Sequence, residues 1–152
     1  MVTIFRNRNF HYLLAITLGG FILLNITFFG AWMTHRVIDF ILSLIRPDGL
    51  MVPQYRHLIF ALLIGLISIF IFRSRLPSIY KAIYTTVPTA VLFITVGILL
   101  YRDPISVYAL SLLLFVGLIL IMYRFNLEWM YYYAVIIISL ALLIMNSFGM
   151  EI

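Results

Sequence analysis

The stretch 105–123, ISVYALSLLLFVGLILIMY, runs without a single charged residue. About 20 apolar residues at 1.5 Å per residue make a helix of about 30 Å, the depth of a bilayer's hydrocarbon core. Working outward, the same reading holds for 129–148, WMYYYAVIIISLALLIMNSF, and for the runs 82–101 and 12–33. A further run, 58–72, lies between Arg56–His57 and Arg73 and is short for a span. The expected fold is an all-α polytopic membrane helix bundle in a single domain over 1–152. Five transmembrane helices are expected, with four as the alternative if 58–72 does not cross.

Composition supports this. The chain is 65% apolar and 10% charged, against about 45–50% and about 25% in soluble domains. So little charge cannot cover a water-soluble globule, which excludes a soluble enzyme and a nucleic-acid-binding domain. The net charge of +5 comes from Arg and Lys at the ends of apolar runs, where they orient helices and meet lipid phosphates rather than a polynucleotide. With no Cys there is no disulfide, thiolate metal site or cysteine nucleophile.

Connections between the runs are brief, so neighbouring helices are expected to pack antiparallel. The first run can continue as a helix through His35, Arg36 and Asp39 to Ile45, where Pro47, Asp48 and Gly49 stop it. A helix over 12–45 is about 50 Å long and must project or bend. A bend near Thr34 to Arg36 lays 37–45 on the surface as an amphipathic segment. Counting Lys and Arg by loop places six residues on the side of the N-terminus and four on the other. The bias favours a cytoplasmic N-terminus and an outer C-terminus in a plasma or inner membrane.

On that topology Asp39, Asp48, Asp103, Glu151, His35 and His57 share the outer side. The helical period groups Asn25, Trp32, His35, Arg36 and Asp39 on one face. Asp39 can pair with His35 at i,i+4 or with Arg36 at i,i+3. Asn25, mid-span, is expected to turn toward another helix. Two readings follow: an ordinary cross-bundle hydrogen bond with a charged cap, or an outward polar groove. In the second, Asn25, His35, Arg36, Asp39, Arg56, His57 and Arg102 form a ligand or lipid site, with the guanidinium groups suited to a phosphate or carboxylate.

Several features have packing explanations. Pro88 breaks a backbone bond that Thr85, Thr86 and Thr89 can re-satisfy. Gly19, Gly20, Gly65, Gly97 and Gly117 offer small surfaces for close helix approach. Tyr131, Tyr132 and Tyr133 read as an interfacial aromatic belt. Asn146 and Ser147 suit packing or a polar vestibule. The chain has no H-E-x-x-H, P-loop or G-x-S-x-G motif, no metal-like His spacing and no mid-span acid for a proton pump. No catalytic residue, metal or cofactor is expected. The leading expectation is a non-enzymatic subunit of a larger membrane complex, with membrane lipids, another membrane protein or itself as partners. The alternative is a small homo-oligomeric transporter or lipid-handling protein.

Overall fold

A computed structural model describes residues 2–45 and 53–147, with side chains for 9–44 and 54–145. These residues form helices α1 (Val2–Ile45), α2 (Pro53–Arg73), α3 (Ser78–Leu99), α4 (Pro104–Arg124) and α5 (Trp129–Ser147), and among them there is no strand. The architecture is an all-α bundle in which α1 to α4 are each long and apolar enough to cross a membrane. Arg46, Pro47, Asp48, Gly49 and Glu151 lie outside the described residues, as do the side chains of Arg6, Arg8, Asn146 and Ser147.

The second run is longer than expected: α2 begins at Pro53 and is 21 residues long, enough to cross a membrane. Pro53 opens the helix where a missing N–H costs nothing, and Gln54 to His57 continue it. Polar residues punctuate an apolar run without ending a helix, because long side chains reach past the apolar zone. α1 likewise runs unbroken for 44 residues, about 66 Å at 1.5 Å per residue. Thr34 Oγ1 donates to Gly30 O inside the ordinary helical ladder, and 37–45 continues the same helix.

The turns show why the bundle folds back so tightly. α4 opens with Asp103 as its cap and Pro104 in the first turn. It closes with Asn126 at φ 48°. There Asn126 N–H donates to Tyr123 O and Leu127 N–H to Met122 O, each at 3.1 Å, the double bond pattern that ends a helix on a left-handed residue. At the same end of the bundle Lys81 Nζ donates to Phe72 O and Ser74 O, covering the carbonyls that close α2. Ser78 Oγ donates to Glu128 Oε1 at 2.5 Å, tying the start of α3 to the turn before α5.

α3 is the centre of the bundle. It packs on each of the other four helices, and ten of its side chains are buried, against Met122 alone in α4. One core joins Ile16, Ala82, Met122, Met130, Ala134 and Val135 across α1, α3, α4 and α5. A second joins Phe60, Ile64, Tyr84, Val87 and Val91 between α2 and α3, flanked by Leu23, Leu24 and Ala31 of α1. α1 meets α3 closely at Gly19 and Gly20. A Cβ on Gly20 would sit 2.9 Å from Thr86 Cγ2, while on Gly65, Gly97 or Gly117 it would meet nothing within 4 Å. Of the glycines expected to bring helices together, the α1 pair does so.

Two further expectations are revised. Tyr131 is buried in the first core, and Tyr133 Oη lies 2.8 Å from Thr17 Oγ1 of α1. This tyrosine run therefore locks α5 into the bundle. At Pro88 the carbonyl deprived of its donor is that of Tyr84, four residues back. Thr85 Oγ1 instead donates to Lys81 O and Thr86 Oγ1 to Ile83 O, so these two hydroxyls do not repair the break.

Candidate functional site

The end of the bundle where α1 finishes and α2 begins holds a polar seam. Residues four apart on α1 stack on one face, which sets His35 and Asp39 in line, both half-buried. From α2, Gln54 and His57 lie three apart on the opposing face, with Arg56 beside them. Arg56 Nη1 reaches Asp39 Oδ2 at 2.8 Å, joining the helices by a partly buried ion pair. The His35 and His57 rings meet edge to face across the same seam, with centroids 6.4 Å apart.

Ion pairing alone does not satisfy this seam. His35 Nε2, Asp39 Oδ1, Gln54 Oε1 and His57 Nε2 are all buried and make no hydrogen bond within the protein. Four such atoms in two facing turns are notable, because the large majority of buried polar side-chain atoms have a partner. Two of the four, the carboxylate and amide oxygens, can only accept, whereas an imidazole nitrogen donates or accepts according to its protonation. Below the seam, His57 lines a cavity of about 20 Å³ otherwise walled by Leu24, Thr27, Phe28, Ala31, Phe60, Ala90, Val91 and Ile94. Its walls present no polar surface, so it is a small apolar void rather than a water site.

Of the seven residues expected to form a groove, the structure joins four: His35, Asp39, Arg56 and His57. The other three stand apart. Asn25 is exposed and its amide donates to Phe21 O of its own helix at 2.7 Å, so it makes no cross-bundle bond. Arg36 is exposed and lies over the Trp32 ring, 5.5 Å from its centroid. Arg102 donates from Nε to Tyr101 Oη at 2.8 Å and stacks on that ring. The three arginines are thus held by three different neighbours. Asp39 pairs with neither His35 nor Arg36, because the guanidinium across the seam takes its one bonded oxygen.

The face drawn from helical periodicity therefore splits in two. Asn25, Trp32 and Arg36, at i, i+7 and i+11, form an exposed stripe, and His35 with Asp39 turn toward α2. Gln54 escaped the sequence reading because the second run was started at residue 58. Extending that helix back to Pro53 puts Gln54 one turn before His57, the pattern that could have found it. Among the described residues no group of three or more His, Asp and Glu is arranged to hold a metal ion.

The seam thus sets four unpartnered buried polar atoms around the Asp39–Arg56 ion pair. Comparison with family models, with curated proteins and with solved structures finds no match to this chain.

Proposed function

We propose that this protein works by association, as a non-enzymatic subunit or accessory of a larger complex in a plasma or inner membrane, with its N-terminus cytoplasmic. The observation that carries this reading is the closed interior between α1, α2 and α3. The space beneath the polar seam amounts to about 20 Å³ and is walled by apolar side chains, which leaves no room there for a solute to pass. The charged groups of the seam are spent on each other, with Asp39 against Arg56, rather than aimed at a substrate. A chain with a tight centre at α3 and a loosely held α4 offers its surface, not its interior, to other molecules.

The test is native mass spectrometry of the protein extracted gently from its own membrane. A stable heteromeric mass is the expected result and identifies the complex. A lone monomer with no accompanying polypeptide overturns the proposal. A homo-oligomer carrying anionic lipid overturns it in favour of lipid handling, with the exposed Arg36 and Arg102 as the groups for the phosphate.

A further inference from the structure

The two ends of the bundle treat their arginines differently. At the end holding the polar seam and the α3–α4 turn, Arg56 is paired with Asp39, Arg36 lies over Trp32 and Arg102 is bonded to Tyr101. At the opposite end Arg73 closes α2 and Arg75 follows two residues later, both exposed. Neither side chain has an ion pair or a hydrogen bond among the described residues. Lys81 joins them. Its ammonium, fixed on Phe72 O at 3.0 Å and Ser74 O at 2.7 Å, lies against the backbone on both sides of Arg73. Two of its three N–H groups are thereby used and one remains. The acid at this end among the described residues, Glu128, is bonded to the Ser78 hydroxyl, so the three cations of this turn have no carboxylate paired with them.

An apolar track leads to these cations. Leu62, Leu66, Ile69 and Arg73 follow at spacings of four, three and four, which stacks them along one side of α2. All four are exposed, so the helix presents three apolar side chains in line with a guanidinium. From Leu62 to Arg73 the track rises about 16 Å at 1.5 Å per residue, close to one leaflet, which is half of a hydrocarbon core of about 30 Å. Gly65 leaves open space beside it, where a Cβ would meet nothing within 4 Å. Arg124, at the end of α4, is exposed too, but no second cation stands in its turn.

We propose that this face of α2 binds an anionic phospholipid, with an acyl chain along Leu62, Leu66 and Ile69 and the phosphate at Arg73, Arg75 and Lys81. A guanidinium fork matches the phosphate oxygens. A free phosphate ion would use the cations and leave the apolar track idle. A zwitterionic lipid brings an ammonium group that the three cations repel, so the site selects a headgroup of net negative charge. Each cation near such a headgroup favours it by about fivefold. A lipid held here is compatible with a subunit of a larger complex and does not depend on that reading.

The experiment places the full chain in nanodiscs of phosphatidylcholine and phosphatidylglycerol in equal amounts. Native mass spectrometry then counts the lipids that stay bound on release. Phosphatidylglycerol is expected to be retained over phosphatidylcholine by about fivefold or more. Arg73→Gln with Arg75→Gln should erase that preference. Neither side chain has a partner in the bundle, so this variant keeps its fold, which circular dichroism checks. Arg36→Gln with Arg102→Gln removes as much charge from the other end and should leave the preference intact. Excess inorganic phosphate should not displace the lipid. Equal retention of the two lipids, an undiminished preference without Arg73 and Arg75, equal loss in both double variants, or displacement by inorganic phosphate each overturns the site. These readouts are independent of copy number and of any partner polypeptide, so their failure is distinct from failure of the subunit reading.

Discussion

Arg56 Nη1 stands 2.8 Å from Asp39 Oδ2, and this contact joins the start of α2 to the last turns of α1. Both side chains are partly withdrawn from solvent, so removing Arg56 strands the Asp39 charge at a cost that removing both avoids. Arg56→Met alone should therefore destabilise the bundle more than Arg56→Met combined with Asp39→Asn. A double-mutant cycle read by denaturant unfolding in micelles is expected to give a coupling of about 0.5–3 kcal/mol. Simple additivity of the two substitutions would show that the pair is only a surface contact.

α1 and α3 approach each other closely at Gly20. Gly20→Ala would place a methyl group 2.9 Å from Thr86 Cγ2. Thr86 is buried and its hydroxyl is tied to Ile83 O at 2.7 Å, so it cannot swing aside freely. Overpacking of this kind costs about 1–3 kcal/mol. Gly65→Ala enters open space and should be neutral or slightly stabilising, since Ala favours a helix by about 1 kcal/mol over Gly. Comparing the two variants by unfolding in mixed micelles checks the packing directly, and equal stabilities would refute it.

The membrane bundle was legible from charge spacing, because a run such as 105–123 has no other stable home. Which helix sits in the middle was not read. α3 and α4 are both strongly apolar, yet α3 is central and α4 peripheral. The difference lies in Ala82, Thr85, Thr86, Thr89 and Ala90, small side chains three and four apart that let neighbours come close, where α4 carries bulky Leu and Ile. The polar seam was half legible for a similar reason. Helical periodicity placed His35 and Asp39 near each other. It could not show that Arg56, from a separate helix, would take Asp39 in preference to the local partners at i−3 and i−4.

The turn between α4 and α5 rests on one residue in a left-handed conformation, Asn126 at φ 48°. Asn tolerates that region because its short side chain can hydrogen-bond locally, and a β-branched residue does not. Asn126→Val is expected to cost about 1–2 kcal/mol. Asn126→Gly should be at least as stable as the parent chain, Gly being the usual residue at this position of a helix end. Thermal unfolding of the two variants separates these outcomes, and a Val variant matching the Gly variant would rule out the conformation.

At the other end of α4, Asp103 caps the helix, and its carboxylate accepts from Ser106 Oγ at 2.5 Å and from Ser106 N–H at 3.4 Å. The Ser106 hydroxyl first, and then its backbone N–H, hold the Asp103 carboxyl below its usual range. A depressed acid favours the folded state in its charged form, so the cap's contribution is complete above the unfolded value of about 3.9. It is lost as pH falls through the lower folded value. A ¹³C titration of the Asp103 carboxyl should give a midpoint beneath that of an unfolded Asp, with the Ser106 amide shift following the same curve. Ser106→Ala removes the leading cause and should move the midpoint back toward the ordinary value. An unmoved midpoint in that variant would mean that the hydroxyl does not control the carboxylate.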